Sequence, residues 1–143
     1  MATIHKFILV KYSASQMFTL VDDVEKYPEF LPWCSGTKVV FRDENMTRAT
    51  IEINYHHLRQ SFTTENAKYE PNSIKISLVR GPFRHLDGNW QFLPLGDGGC
   101  KVQLDLHYEF SNKIFERLFG PVFHFVANSF VDAFVKRAKE LWA

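Results

Sequence analysis

The chain has 143 residues, which is close to the commonest size of a single domain, and 45% of them are hydrophobic while 23% are charged. With 17 basic and 16 acidic residues the formal net charge is only +1, which argues against direct binding to a DNA duplex. Aromatic residues are abundant, with 14 Phe, 5 Tyr and 3 Trp, and they indicate either a bulky core or an aromatic-lined cavity. We therefore expect a single domain over residues 1–143.

The opening segment predicts one strand followed by short helices. Residues 4–12 are rich in β-branched and aromatic side chains, as strands are. Ser13 or Ser15 is suited to cap a helix over residues 16–24, where apolar side chains recur on one face. Residues 25–33 contain two prolines, which permit only short helical turns or an irregular loop.

Residues 38–110 show the periodicity of strands separated by turns. The alternation is clearest over residues 46–55, where Thr47, Ala49 and Ile51 point to one face and the intervening polar residues to the other. This region predicts six strands, and the later ones cover residues 58–66, 73–79, 86–93 and 101–110. Such half-polar strands at short spacing favour an antiparallel sheet with one solvated face.

The last segment predicts one long amphipathic helix over residues 112–142, capped by Ser111 or Asn112. Gly120 and Pro121 should kink or divide it, because proline lacks the N–H that an internal helical hydrogen bond needs. A sheet with one apolar face and a broad apolar helix together predict an α+β, two-layer fold. Periodicity alone leaves open whether the two layers touch or enclose a cavity.

A search for catalytic or metal-binding patterns yields weak candidates. His56 and His57 are adjacent, so on a strand they would face opposite sides and could not share a metal ion. The remaining histidines lack the spacing of a ligand set, and the glycines of residues 96–99 lack the Lys-Ser/Thr of a phosphate loop. We therefore expect no metal site, no catalytic residue and no resident cofactor.

Cysteine content and apolar runs bear on the compartment. Cys34 and Cys100 lie far apart in sequence and fit reduced thiols better than a disulfide framework. The apolar run at residues 7–10 is shorter than that of a signal peptide, and we expect no stretch near the ~20 apolar residues that span a bilayer. The expected location is the cytoplasm, with peripheral contact at the inner membrane left open.

Four stretches together resemble a known family. Residues 21–34, VDDVEKYPEFLPWC, are similar to the pattern DVxxYPxFLPxC, and residues 78–92 contain a match to GPFxxLxGxWxF. The strand FTTEN at residues 62–66 and the entry into the last helix at residues 108–123 are similar as well. These are motifs of the coenzyme Q-binding and ribosome-association toxin family, and the likeness covers nearly the whole chain.

The resemblance implies a START-like helix-grip fold. In that fold two short helices follow the first strand, and a curved antiparallel sheet of about seven strands wraps around the long C-terminal helix and an apolar cavity. Members of the family bind ubiquinone or its intermediates and support respiration, and a bacterial toxin member blocks the association of ribosomal subunits. The resemblance thus implies a hydrophobic small-molecule partner, a quinone as bound ligand, and no enzymatic activity.

The expected ligand-binding residues are large apolar side chains of the last helix, of the strands opposite it and of the proline-rich segment. For each of them an ordinary place in the core is the alternative. Trp33 and Phe83 stand beside prolines and are expected at an exposed mouth, in contact with a membrane interface. The full set is Phe30, Leu31, Trp33, Leu78, Phe83, Trp90, Phe92, Phe119, Phe123, Val126 and Phe130.

Three functional hypotheses remain, and binding of ubiquinone or a related isoprenoid quinone is favoured because it uses the expected apolar groove. The alternative is a toxin that binds the ribosome and inhibits subunit association and translation. It would require a local basic cluster drawn from Lys38, Arg42, Arg48, Arg59 and Arg84. The third is an enzyme acting on an aromatic or polyketide-like substrate, for which only Tyr55, His107 and Tyr108 are candidates.

Overall fold

A computed structural model describes residues 2–142, which form a seven-stranded antiparallel sheet and three α-helices. The strands lie in the order β1-β7-β6-β5-β4-β3-β2, so the first strand pairs with the last. In chain order the elements are β1 (Ala2–Val10), α1 (Ala14–Asp22), a 3-10 turn (Val24–Lys26), α2 (Tyr27–Phe30), β2 (Cys34–Arg42), β3 (Met46–Tyr55), β4 (Leu58–Tyr69), β5 (Ser73–Arg80), β6 (Phe83–Pro94), β7 (Cys100–Phe110) and α3 (Lys113–Trp142).

The alternating pattern of the strands produces one buried and one solvated face. In β7 every second residue from Cys100 to Phe110 is buried, while the residues between are partly exposed. In β3 the buried set includes Ala49, Ile51 and Ile53, as the sequence predicts. The antiparallel sheet, the two short helices after β1 and the long final helix are all confirmed, and the strand ends differ from the predicted ones by a few residues.

The chain between β1 and β2 is held by local hydrogen bonds. Ser13 caps α1 through a capping box, in which its hydroxyl accepts from the Gln16 N–H and the Gln16 side chain accepts from the Ser13 N–H. The proline-rich stretch forms the 3-10 turn and α2, the short helical turns that the sequence allows. Within α2, Tyr27 is buried and its hydroxyl donates to the carbonyl of Val21 at 2.5 Å.

Helix α3 is one continuous helix of 30 residues, so the expected division at Gly120 and Pro121 does not occur. Asn112 caps it, because its side-chain oxygen accepts from the backbone N–H of Phe115 at 2.8 Å. Pro121 removes the hydrogen bond that would reach the carbonyl of Arg117. The helix tolerates this loss because the residues that follow, beginning with Phe123, are buried against the sheet.

Within residues 2–142, one helix is long and apolar enough to cross a membrane by length and composition, and it is α3. This corrects the expectation that no segment approaches that limit. The core helix of a folded domain meets the same criterion, because it also presents a wide apolar face. In α3 that face lies on the sheet, where Phe123, Val126, Ala127, Val131, Phe134, Val135 and Ala138 are buried.

The hairpin loop between β6 and β7 makes a close approach to the end of β1. A Cβ built on Gly99 would lie 2.2 Å from the carbonyl oxygen of Val10, whereas one built on Gly96 would meet nothing within 4 Å. We predict that Gly99→Ala lowers the free energy of unfolding by about 1–3 kcal/mol, because the loop must move away from β1.

Gly96→Ala in the same loop is the matched control and should change stability by less than about 0.5 kcal/mol. Urea unfolding of both variants measures the difference. Equal stability of the two variants would contradict the close approach.

Candidate ligand-binding cavity

Two apolar cavities lie between the inner face of the sheet and α3. The first has a volume of about 50 Å³ and the second a volume of about 20 Å³. The first is lined by Val21, Val24, Tyr27, Ala49, Ile51, Phe62, Thr64, Asn66, Ile74, Ile76, Leu86, Trp90, Leu106, Phe123, Val126, Ala127 and Phe130. The second is lined by Ile53, Leu58, Gln60, Phe62, Pro82, Phe83, Phe110, Phe119, Val122 and Phe123.

The ring of Phe123 is central to both spaces, because Phe62 and Phe123 line both cavities. Its centroid lies 4.7 Å from that of Tyr108 and 4.9 Å from that of Phe83, and both pairs are edge-to-face. Such contacts stabilise aromatic clusters beyond the area that they bury. The two cavities are therefore neighbours with a shared wall, and we refer to them together as the groove.

A second aromatic cluster closes the groove around Phe130. Its ring lies 5.3 Å from Trp33, 5.6 Å from Phe134 and 6.1 Å from Trp90, measured between centroids. Ligand pockets for drug-sized molecules have volumes of about 300–1,000 Å³. The free space in this groove is far smaller, so a ligand of that size enters only if aromatic side chains of α3 move.

One end of the first cavity is polar, which the sequence analysis missed. Thr64 and Asn66 face the cavity from β4, and the Thr64 hydroxyl donates to the Asn66 side-chain oxygen at 3.0 Å. On the same strand, Lys68 has only 7% of its side chain exposed and lies 3.4 Å from Asp22. The Thr47 hydroxyl donates to the other Asp22 oxygen at 3.3 Å. The alternation of side chains along a strand could have predicted this, because it places Thr64 and Asn66 on the same face as Phe62.

The structure brings six of the eleven expected ligand-binding residues to the two cavities. Trp90, Val126 and Phe130 line the first cavity, and Phe123 lines both. Phe83 and Phe119 line the second. The other five lie outside both linings and are Phe30, Leu31, Trp33, Leu78 and Phe92.

These five residues pack elsewhere in the domain. Leu31 and Phe92 are almost fully buried, and Phe92 stacks on Trp90. Leu78 is half-buried, opposite Thr64 in the sheet. Phe30 and Trp33 border a surface cleft between the α2 segment and the C-terminal half of α3.

The expected exposed mouth at Trp33 and Phe83 is wrong, because these side chains are only 1% and 6% exposed. The carbonyl of Trp33 accepts from the Asn54 N–H at 2.9 Å, which holds the loop against β3 and turns the indole towards α3. Phe83 begins β6 opposite Phe110, and the two rings stack at 4.9 Å. A neighbouring proline thus marks a turn in both places, but the turn folds the aromatic ring inward.

Comparison with known proteins places this cavity in a family context. Residues 10–135 match the family described as "Polyketide cyclase / dehydrase and lipid transport". The chain belongs to this family. It is 42% identical over 139 residues to the ribosome association toxin RatA of Pseudomonas aeruginosa, covering 97% of this chain and 96% of the relative. It is 27% identical over 135 residues to the mitochondrial coenzyme Q-binding protein COQ10 homolog B of Xenopus laevis, covering 92% of this chain and 55% of the relative.

Solved structures show the same START-like helix-grip fold. TTHA0849 from Thermus thermophilus superposes with a TM-score of 0.79 at 22% identity, covering 97% of this chain and 95% of that one. An aromatase/cyclase from Streptomyces, ZhuI, superposes with a TM-score of 0.78 at 11% identity, covering 96% and 93% of the two chains. The polyketide cyclase fold is therefore shared by a protein named as an enzyme and by relatives named as a toxin or a binding protein.

The three side chains considered for catalysis do not meet in this member of the polyketide cyclase family. Tyr55 stacks on Phe125 at 5.0 Å, and His107 lies on the outer face of the sheet, 3.2 Å from the Thr3 hydroxyl. Tyr108 faces the interior, where burial raises the pKa of its phenol above the ordinary value. Tyr108 therefore stays neutral among apolar rings at physiological pH.

The histidine pair lies in a turn, and both cysteines are buried. His56 and His57 form the turn between β3 and β4, with φ of 49° and 68°, and are not on a strand as assumed. Burial raises the pKa of the Cys34 thiol to about 11, and burial also raises the pKa of Cys100. Among residues 2–142, His, Cys, Asp and Glu form no group of three or more that could hold a metal ion.

The position of Phe123 predicts how the groove can be enlarged. Phe123→Ala should lower the free energy of unfolding by about 3–5 kcal/mol, because it removes a buried ring and joins the two cavities. The enlarged groove should also bind a small apolar probe such as benzene more tightly than the unsubstituted protein does.

Phe125→Ala is the matched control, since Phe125 lies on the same helix, is 44% exposed and lines neither cavity. Urea unfolding and probe titration on both variants provide the test. An equal loss of stability in the two variants would show that Phe123 does not occupy the groove.

Proposed function

We propose that this protein binds an apolar small molecule of the isoprenoid quinone class, ubiquinone or one of its intermediates, and performs no chemistry on it. The observation that carries the proposal is the groove between α3 and the sheet, whose lining is apolar and aromatic except for Thr64 and Asn66 in the first cavity and Gln60 in the second. The similarity to the coenzyme Q-binding protein of Xenopus laevis supports it. In this proposal the protein supports respiration by carrying or presenting the quinone.

The free volume of the groove is too small for a quinone unless side chains in it move. A quinone ring and isoprenoid chain need more space than about 50 Å³, so rings such as Phe123 and Phe130 must move aside. The exchange is energetically feasible, because the aromatic and apolar contacts that these rings lose are replaced by similar contacts with the ligand. Binding therefore involves rearrangement of α3 side chains.

Contact with a membrane belongs to the same proposal, because an isoprenoid quinone dissolves in the bilayer. With Trp33 and Phe83 buried, a different surface fits this role. Phe7 and Leu9 on β1 are 56% and 61% exposed, and Leu93 on β6 is exposed beside them. Lys101 lies between Leu9 and Leu93 in the sheet, with its ammonium 4.5 Å from the centre of the Phe7 ring. An apolar patch with a basic centre suits an anionic lipid surface.

The test is mass spectrometry of the organic extract of protein purified gently from cells that make quinones. We expect an isoprenoid quinone in about one-to-one ratio with the protein. Ala127→Leu should reduce the quinone content several-fold, because Ala127 is 1% exposed and lines the first cavity, so a larger side chain fills it.

Ala133→Leu on the same helix is the control, because Ala133 borders the surface cleft instead. It should retain the quinone. Protein that is empty as purified and also fails to bind quinone on reconstitution would rule the proposal out.

Association with the ribosome is the second candidate function, favoured by the similarity over nearly the full chain to proteins named ribosome association toxins. The expected basic cluster is partly neutralised within the chain. Arg42 pairs with Glu25 at 2.7 Å. Arg48 pairs with Glu65 at 2.5 Å, and Arg84 pairs with Glu109 at 3.5 Å.

Lys38 and Arg59 are exposed and have no ion pair within the described part of the chain. If the protein binds ribosomal subunits, it should co-sediment with them at low salt and dissociate at high salt. Lys38→Glu with Arg59→Glu should weaken this binding, whereas Lys139→Glu at the exposed end of α3 should not. Absence of co-sedimentation at low salt would exclude this function.

A further inference from the structure

We propose that Thr64 and Asn66 form the head-group site of the groove and bind a carbonyl oxygen of the ligand. The inference rests on the proposed binding of a quinone-like molecule and adds which end of the ligand the protein recognises, and through which groups. It assigns a specificity-determining role to two polar residues that face an otherwise apolar cavity.

The position of these residues follows from the register of β4. Thr64 pairs with Ala49 on β3 and with Leu78 on β5, while Asn66 pairs with Thr47 and Ile76. The small Ala49 side chain leaves room beside Thr64 on the inner face. Two hydrogen-bonding side chains are thus placed next to each other at the cavity wall.

The hydrogen bond between Thr64 and Asn66 leaves the amide N–H groups of Asn66 without a partner in the pair. Because the Thr64 hydroxyl donates to the Asn66 side-chain oxygen at 3.0 Å, the Asn66 amide nitrogen is directed away from Thr64. Among residues 2–142, no acceptor forms a hydrogen bond with that nitrogen. Asn66 is half-buried and this nitrogen is not a buried unpaired atom, so water reaches it in the free protein, and an acceptor on the ligand would take the place of that water.

The charged groups nearest to this pair of residues are bonded to each other. Lys68 lies on the same face of β4, two residues beyond Asn66, and its side chain is 7% exposed. Both oxygens of its partner Asp22 are engaged, one by Lys68 at 3.4 Å and the other by the Thr47 hydroxyl at 3.3 Å. The carboxylate is therefore engaged by Lys68 and Thr47, and the Asn66 amide N–H groups stay available to an acceptor on the ligand.

This arrangement matches the chemistry of a quinone ring. The ring presents carbonyl and ether oxygens, which accept hydrogen bonds, and it has no O–H or N–H to donate. The apolar remainder of the ligand would follow the rest of the groove towards Phe123 and Phe130. A hydrocarbon of the same shape would gain nothing from Asn66.

The test compares two probes by isothermal titration calorimetry. Decylubiquinone carries the oxygens, and decylbenzene has a similar apolar tail without them. We expect Asn66→Leu to weaken binding of decylubiquinone about tenfold and to leave binding of decylbenzene unchanged. Thr64→Val should act in the same direction with a smaller loss, because it frees the amide from its fixed orientation.

Thr63→Val is the matched control on the same strand. Thr63 is 7% exposed, close to the 4% of Thr64, but its hydroxyl bonds to Thr50 on the outer face at 2.7 Å. It should not change the affinity for either probe. Urea unfolding checks that each variant is folded, and Thr64→Val, the more conservative change, keeps the test decisive if Asn66→Leu does not fold.

The outcomes separate this inference from the proposed function. If the unsubstituted protein binds decylubiquinone and the Thr64 and Asn66 variants bind it equally well, the head-group site is wrong while quinone binding stands. The site is also wrong if Thr63→Val weakens binding as much as Asn66→Leu. If the unsubstituted protein binds neither probe, the proposed function fails and the head-group site fails with it.

Discussion

Most of the buried side chains of the seven strands lie on one face of the sheet, and the long helix α3 packs against that face. Phe134 shows how tightly the cover fits, because it is fully buried and its ring lies 5.3 Å from Tyr27 and 5.4 Å from Trp90. Burial of one such side chain contributes about 1.5–3 kcal/mol. The position of α2, whose Tyr27 and Phe30 rings contact Phe134, and the groove itself both depend on this contact between helix and sheet.

The same contact limits the capacity of the groove. Close packing of aromatic rings stabilises the domain, whereas a preformed cavity of quinone size would cost stability in proportion to its volume. In this protein the aromatic rings pack closely, and the two cavities have free volumes of only about 50 Å³ and 20 Å³. A binding site in such a groove is one in which the ligand replaces part of the core.

Much of the fold could be predicted from the sequence because the signals were local and periodic. Met46–Tyr55 alternates so regularly that its limits and its buried face were both correct. The last helix was correct as well, and of the kink or division expected at Pro121 the division is absent, because tertiary packing compensates for one lost hydrogen bond. Family resemblance contributed the enclosing topology, which periodicity alone could not specify.

The site was harder to predict, for physical reasons that differ among residues. Trp33 and Phe83 stand in turns, and only long-range contacts with β3 and Phe110 decide that their rings point inward. Thr64 and Asn66 are polar residues on a buried face, where a sequence pattern reports polarity but not what lies opposite. The large apolar residues of α3 were easier to predict, because the spacing of apolar residues in an amphipathic helix indicates which face is buried.

The pairing of β1 with β7 has a consequence for how the chain reaches its native state. Ala2 pairs with Tyr108 and Val10 pairs with Cys100. The first strand to be synthesised therefore cannot form these pairs until the last strand has been synthesised. Closing so long a loop costs conformational entropy before the contacts between the strands can form. Folding is slower in proteins in which such distant contacts are more numerous. Until β7 emerges, Phe7 and Leu9 belong to a strand without a neighbour. During synthesis, the time for which β1 remains unpaired therefore depends on how quickly the ribosome reaches β7.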